Sequence, residues 1–562
     1  MKKWLIGVML GSLCMAGNAA ALPDNMYFKA MQAEMQRSLK GLHRPGVAKL
    51  FYIAYKLENI QTGPTVRGSL GALYPSTRRD DSLTAYVWVD IGTPKQDSLG
   101  YQHDAYYAQH AYRPRRETEV SKSYQGLRHS LWFLTDQAYA FASETYQQKQ
   151  AYRRKKQTDT KVSVPDFMPQ KQGSYNGEIR PLPAYTQAGQ NELKQWVQEL
   201  SCKGQEYPFL EQFLVEITPL QREEYYLNSL GGYYQWALPA VRVEWTARFR
   251  NQDGFKQQRQ QTLWLPDLTA ASKELVNTYN TDFLQQLQQL YHAKKGKAYV
   301  GPVLLAPAAA AKFMGQLFVE NMQHLSPVLS AAGPDPQAGL FGNKENMWVI
   351  SQVVDVQDKP LWNNYRGTPL WGFAPVDDEG VQAQELTLSF QGRVADFPRS
   401  SRPFNNQQVP SNGHARMTYT SLPRERLTNI LVRPKEPLGK TELEAQFMQT
   451  CQSLDLEYCY ILYDLPDNLS EKQEVPWALQ VNTKDGTRQF VYGLELDGLT
   501  PRALRDIKAA GNDFTAIPLT PDAFSPQLPQ QSIVTPSLLV EEWEMVPNQK
   551  QPDKAPFVPR PQ

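Results

Sequence analysis

The sequence predicts an α+β fold, with an N-terminal sheet covered by long helices and a larger C-terminal region forming a curved antiparallel sheet. Three observations predict it. Apolar residues recur every three or four positions over 124–156 and 270–291, the period of an amphipathic helix. Around 50–92 and 241–249 apolar and polar residues alternate, the period of a strand. From about residue 300 onward the chain is mostly short strand-like runs separated by turn residues.

Taken in order, residues 1–21 read as a signal peptide. Lys2 and Lys3 give a positive start, Leu5 to Met15 is the apolar run, and Ala19-Ala20-Ala21 is the cleavage site, with Leu22 as the expected mature N-terminus. Leu13 directly before Cys14, where a small residue is wanted, argues against a lipid anchor. An N-terminal α/β region follows over 22–165. In it Phe51, Ile53 and Tyr55 alternate, Tyr86 to Ile91 is strand-like, and Gly63-Pro64 and Pro75-Ser76 mark turns. A long helix from Tyr124 to Lys156 carries Leu127, Leu131, Leu134, Ala138 and Phe141 on one stripe. Its basic end, Arg153 to Lys156, reads as solvated. A polar connection over 157–190 leads into a middle region, 166–298. That region holds a helix near Glu192 to Leu200, strands at Phe213 to Ile217 and Val241 to Phe249, and a helix from Ala270 to Tyr291.

The C-terminal region spans 299–546. Gly301 to Leu305 is strand-like, Pro307 sits where a first helical turn tolerates proline, and helix continues to Met322. Further strands are expected at Trp348 to Val356, Glu385 to Phe397, Thr428 to Val432, Leu479 to Val481 and Phe490 to Leu496. Helices are expected at Glu442 to Ser453 and Pro501 to Ala510. The proline-rich tail, 547–562, is expected to be extended.

Composition excludes several classes. In 562 residues, 41% are hydrophobic and 21% charged, which is a globular balance. Without Lys2 and Lys3 the 59 basic residues become 57 and match the 57 acidic ones, so no global field favours nucleic acid or an anionic membrane. No stretch beyond the leader has the ~20 apolar residues of a membrane span. Cys202, Cys451 and Cys459 remain. An odd number argues against a disulfide framework, and a Cys451–Cys459 bridge is possible but not fixed by spacing.

Local chemistry is sparse. There is no Gly-x-Gly-x-x-Gly, Walker or Gly-x-Ser-x-Gly motif. No two of the seven histidines have the spacing of a helical metal pair. His103 and His110 would reach a metal only with ligands from elsewhere. Asp377-Asp378-Glu379-Gly380 is the densest acidic cluster; a cation site is conceivable, and a turn with Gly380 at positive φ is the simpler reading. His414, after Ser411-Asn412-Gly413, reads as a turn residue rather than a catalytic base.

Several motifs nevertheless resemble one family in order and spacing. Gly301-Pro302-Val303-Leu304-Leu305 before the Ala308–Ala311 helix and Gly367-Thr368-Pro369-Leu370 before Val376-Asp377-Asp378-Glu379-Gly380-Val381 carry the match. Ser411-Asn412-Gly413-His414-Ala415-Arg416, Gly498-Leu499-Thr500-Pro501-Arg502 and Thr535-Pro536-Ser537-Leu538-Leu539 extend it. In the N-terminal half, Gly68 to Leu73, Leu127 to Trp132 and Val164-Pro165-Asp166-Phe167 resemble secreted members. The family is that of the TldD/PmbA (TldD/TldE) metallopeptidases. Its active members carry His-Glu-x-x-x-His on the helix after the first motif, with a distal cysteine completing a zinc site. The resemblance puts Gly315 and Glu320 at the two histidine positions and Gln316 at that of the catalytic glutamate; no cysteine follows Cys459. The resemblance therefore implies the metal-free PmbA/TldE-type subunit: no cofactor on this chain and zinc on a secreted TldD-like paralogue with the intact motif. It also implies a shared cleft for an unfolded peptide. An active metallopeptidase with an unusual ligand set, and a free-standing periplasmic peptide-binding or scaffold protein, are the alternatives.

Overall fold

The structure, a computed structural model, describes residues 22–74, 80–102, 115–156, 164–179, 187–326, 328–330, 338–403, 408–418, 421–519 and 528–552. The leader, Pro75-Ser76, His103, His110 and the last ten residues of the tail lie outside these.

The expected α+β class is observed. Long strands with period-two patterning build a ten-stranded sheet whose main path runs Lys256–Leu265, Tyr233–Arg250, Leu210–Asn228, Leu50–Thr62 and Asp80–Thr93, each pair antiparallel. The sheet joins strands from the 22–165 and 166–298 regions. The alternation at 241–249 is real: Val241, Val243, Trp245, Ala247 and Phe249 are buried, and the residues between them are half-buried or exposed.

Two helices cover one face. α1, Met26–Gly41, starts where the Asn25 side chain accepts from the Phe28 N–H at 3.0 Å and buries Phe28, Met31 and Met35. α2, Tyr124–Lys155, is capped by Ser123 and buries Leu127, Leu131, Leu134, Ala138 and Ala142 against Ile53, Leu57, Val87 and Val89. The opposite face carries Tyr52, Trp88, Tyr226 and Tyr234, which pack on Val376, Met417 and Leu422 of the C-terminal region. α3, Gln187–Cys202, and α4, Ala270–Tyr291, flank the far end of the sheet. In α4 the inward residues are Val276, Phe283, Leu284, Leu287 and Leu290, and Leu275 is exposed.

The C-terminal region holds two larger sheets, of nine and six strands, beside small two-stranded ones. Most pairs are antiparallel, but Val303–Leu305 runs parallel to Tyr460–Leu462 and Asn429–Leu431 parallel to Ser532–Val534. Several local expectations change, among them the strand expected over Glu385 to Phe397, which is two strands, Leu386–Phe390 and Arg393–Val394. The strand expected from Trp348 is Val354–Asp358; Trp348 makes only an isolated bridge to Arg393. The helix expected over Pro501–Ala510 is a 3₁₀ turn, Pro501–Asp506, and then a strand, Ile507–Ala510, whose pairing with Leu538–Val540 overrides local preference. The run Phe490 to Leu496 is cut into two strands at Gly493, which adopts a φ of 72°. Arg153, expected to be solvated, is buried and pairs with Asp166 at 2.5 Å.

Cys451, at the end of α6 (Lys440–Ser453; α5 is described below), is bonded to Cys459 in the strand Tyr458–Asp464. Both are fully buried. Closing so short a loop limits the unfolded chain, and a Cys451→Ala/Cys459→Ala variant should lose about 2–3 kcal/mol in urea denaturation. No loss would mean that helix and strand hold together without the bridge.

Candidate functional site

The strand Tyr299–Leu305 runs through the nine-stranded sheet and feeds α5, Pro307–Met314. Pro307 occupies the first turn, and Ala309, Ala310 and Ala311 let the helix lie close against the core. The helix does not continue regularly to Met322 as expected. Gly315–Val319 forms a single wide π turn, closed by the Glu320 N–H donating to the Gly315 carbonyl, and Glu320–Met322 tightens into 3₁₀. Residues five apart in an α-helix point about 140° away from each other. An i→i+5 turn brings them back towards one side, and such turns are frequent at functional sites. The π turn thus brings positions 315 and 320 towards one side of the segment.

The side chains do not fit a metal. A Cβ on Gly315 would lie 3.2 Å from Leu519 Cδ1 and 3.6 Å from Ile533 Cδ1, so a side chain here would meet apolar neighbours, Leu519 tightly. Gln316 uses both ends of its amide: Nε2 donates to the Pro466 carbonyl at 3.1 Å, and Oε1 accepts from the Leu469 N–H at 2.6 Å. One turn earlier, Lys312 Nζ donates to the Leu465 carbonyl at 2.8 Å and pairs with Asp464 and Asp467 at 3.0 and 2.9 Å. Lys312 and Gln316 together latch the 464–469 loop onto this segment. Glu320, the only carboxylate of the three positions, is exposed. Among the described residues no group of three or more His, Cys, Asp or Glu is placed to hold a metal ion.

The acidic cluster lies elsewhere, against the polar face of the N-terminal sheet. It is a turn, with Gly380 at a φ of 79°, but not a solvated one: Asp377, Asp378 and Glu379 are all buried. Gly380 has no room for a side chain, because Gly232 and Gln172 crowd it. Asp378 lies 3.2 Å from Lys56 Nζ and accepts from the Tyr234 hydroxyl and the Met417 N–H. Lys56 also pairs with Glu224 at 3.0 Å. Burial opposes both charges, but Asp378 and Glu224 hold the Lys56 ammonium above its ordinary value. Lys56 and Arg416 in turn hold the Asp378 carboxyl below its own. Asp377 accepts from the backbone N–H groups of Glu379, Val381 and Ala415, which favour its charged form. Burial and the neighbouring Glu379 outweigh them and push it up to about 8.

A second buried cluster continues the same interface. Arg402 lies 3.1 Å from Asp97 and 3.4 Å from Asp90, while Lys149 of α2 joins Asp97 to Asp166 at 2.8 and 2.9 Å. Burial and Asp97 raise Asp90 well above the ordinary carboxylate range. His414 is fully enclosed: Nδ1 sits 3.0 Å from the Asn412 carbonyl and Nε2 3.2 Å from Asp358. It is a structural histidine beside the Gly413 turn, with no surface for a substrate. The structure therefore separates the expected site residues. Gly315, Gln316 and Glu320 lie along the latched loop, and Asp377, Asp378, Glu379 and Gly380 lie at the contact with the N-terminal sheet.

Residues 295–546 match the family model of the PmbA/TldA metallopeptidase C-terminal domain. This C-terminal part of the chain belongs to the TldD/PmbA family. The fold of the chain is similar to that of TldE from Thermococcus kodakarensis, with a TM-score of 0.57 at 13% identity over 92% of this chain and 100% of that one. It is also similar to a protein described as a modulator of DNA gyrase from Thermotoga maritima, with a TM-score of 0.57 at 14% identity over 92% and 100% of the two chains. A Bacteroides thetaiotaomicron protein of the same description gives 0.57 at 10% identity over 93% and 99%. At these identities the structures speak for the fold alone. No functionally curated protein matches the chain.

The latch by Lys312 and Gln316 in the TldD/PmbA-family domain and the two buried charge clusters were not visible in the sequence. Their partners lie 153 residues apart for Lys312 and Leu465, and 322 apart for Lys56 and Asp378. The one available signal was the acidic run beside Gly380.

Proposed function

We propose that this TldD/PmbA-family protein takes part in proteolysis as a non-catalytic subunit. In this reading it is exported, pairs with a secreted paralogue carrying His-Glu-x-x-x-His and the distal cysteine, and completes a cleft for unfolded peptides. Zinc belongs to the partner. The observation that carries the reading is a π turn at which the resemblance places the family's ligands and which holds Gly315, Gln316 and Glu320, with Leu519 close against 315. Hydrolysis without a metal-polarised water or a glutamate to activate it has no agent here. Strand-edge recognition of an unfolded peptide is largely independent of sequence, so such a subunit can add binding surface without adding chemistry. Export rests on the order of Lys2 and Lys3, the apolar run and Ala19 to Ala21.

The purified chain should contain far less than one zinc per molecule and show no chelator-sensitive peptide cleavage. Gln316→Glu, with Gly315→His and Glu320→His, should not create activity, because the distal cysteine is absent and a side chain at 315 presses on Leu519. Stoichiometric zinc with chelator-sensitive cleavage by the chain alone would overturn the proposal.

A further inference from the structure

On the helix-covered face of the ten-stranded sheet one buried carboxylate has no cation. Successive strand residues face opposite sides. Glu224 therefore meets Lys56 and Arg222 at 3.0 and 3.1 Å on the far face, while Glu223 turns towards α1. Glu223 is 5% exposed, and among the described residues only neutral donors reach it. Asn59 Nδ2 donates at 3.0 Å, Gln221 Nε2 at 2.9 Å, the Tyr225 hydroxyl at 3.3 Å and Gln61 Nε2 at 3.4 Å. The last two stand beyond the usual range of such bonds. Beside them Asn59, 2% exposed, has a buried Oδ1 that accepts nothing among the described residues. Buried polar groups are normally satisfied, and a buried carboxylate held by neutral donors alone keeps much of its desolvation cost. The pair is short of a charged donor.

A cavity of about 600 Å³ lies on the same face, within the size range of small-ligand sites. Tyr27 of α1 and Tyr225 line it, their ring centroids 4.6 Å apart, together with Asn25, Gln235, Asn176 and Glu178. Tyr225 links the two features: its ring borders the cavity and its hydroxyl donates to Glu223. Burial and then the Glu223 charge raise both phenols above their ordinary value, so both keep their protons beside the carboxylate. The start of α1 carries partial positive charge, but the Asn25 side chain caps it by accepting from the Phe28 N–H. Lys29 is turned to Asp24 at 2.6 Å. Ring faces attract cations, and a carboxylate with a free amide oxygen calls for N–H donors that carry charge. A quaternary ammonium has the charge without the N–H, and an alcohol has a donor without the charge.

We propose that this cavity binds a primary ammonium group on an aliphatic stem. The stem lies against Tyr27 and Tyr225, and the ammonium donates to Glu223 and Asn59 Oδ1, replacing the long bonds from Tyr225 and Gln61. The amino terminus of a peptide and a lysine side chain share this chemistry. The site uses residues of the N-terminal sheet and α1 only, so it stands whether or not the chain pairs with a peptidase.

The test is calorimetric titration of the chain with pentylamine, with pentanol and tetramethylammonium as controls. Pentylamine should bind at one site, and each control at least about tenfold more weakly. Glu223→Gln, which keeps the shape and removes the charge, should weaken pentylamine binding at least about tenfold. Tyr27→Leu, at a half-buried position, should weaken it about two- to tenfold with unchanged circular dichroism. Two peptides then separate the sources: a lysine-free one with a free amino terminus, and an acetylated one with a single lysine. Binding of either supports the site and names its ligand. No binding of pentylamine up to about 10 mM, or equal binding of pentanol or tetramethylammonium, would overturn the proposal. So would pentylamine binding unchanged in Glu223→Gln, or, where that variant does not fold, unchanged in Tyr27→Leu.

Discussion

Lys56→Met should lower the unfolding free energy by about 3–5 kcal/mol, the largest single-site effect expected in this protein. Lys56 lies in the strand Leu50–Thr62, its ammonium within 3.0 and 3.2 Å of Glu224 and Asp378. All three are buried, so removing the cation leaves two carboxylates with no water to replace it. The loss falls on the contact between the N-terminal sheet and the turn of Asp377 to Gly380, and therefore on the mutual placement of the two halves. Lys56→Met/Asp378→Asn should recover part of the deficit, because it removes one of the stranded charges. A loss of less than about 1 kcal/mol for the single variant in urea denaturation would show that the cluster is solvated in solution.

The second large effect is on pH. Asp90, Glu58, Asp377 and Glu379 all have carboxyls raised by burial, Asp377 to about 8. A carboxyl raised in the folded state holds its proton there while the unfolded chain releases it. Its contribution to stability is therefore present at low pH and is lost as pH rises from the unfolded value towards the folded one. Asp97 and Asp378 are lowered and act oppositely, but their contribution is lost only as pH falls below about 4. The protein should accordingly melt at a higher temperature near pH 5 than near pH 8. Asp90→Asn isolates one group. An amide imitates the protonated carboxyl beside Asp97, so the variant should match the parent at pH 4 and below and be increasingly the more stable towards pH 8. Each unit of raised pKa corresponds to about 1.4 kcal/mol. Parallel melting curves for parent and variant across that range would remove Asp90 from the account.

The fold was legible where local preference and burial agree. α4 has the bounds its periodicity gives, Ala270 to Tyr291, because Thr269 caps it and one stripe is apolar. α1 was missed, although Phe28, Met31 and Met35 share a helical face, because Glu34 and Ser38 interrupt the stripe. The segment 501–510 went astray because Ile507 to Ala510 answers to a partner strand some thirty residues on, which local sequence does not report. The site divides in the same way. The lack of metal-binding side chains at Gly315 and Gln316 is a property of residue type and is read directly. The π turn, Leu519 at the vacant Cβ, and the inward burial of Asp377, Asp378 and Glu379 depend on residues far along the chain. An acidic run beside a glycine looks the same whether it faces water or a buried lysine.

The central claim is that this chain contributes structure, not chemistry, to a TldD/PmbA-family pair. The most direct measurement is co-expression with a secreted paralogue that carries His-Glu-x-x-x-His, followed by size-exclusion chromatography and a peptide-cleavage assay of each chain and of the pair. The account predicts a stable heterodimer with chelator-sensitive peptidase activity that neither chain shows alone. A chain that stays monomeric beside every such paralogue in its genome, with the paralogue fully active by itself, would contradict it.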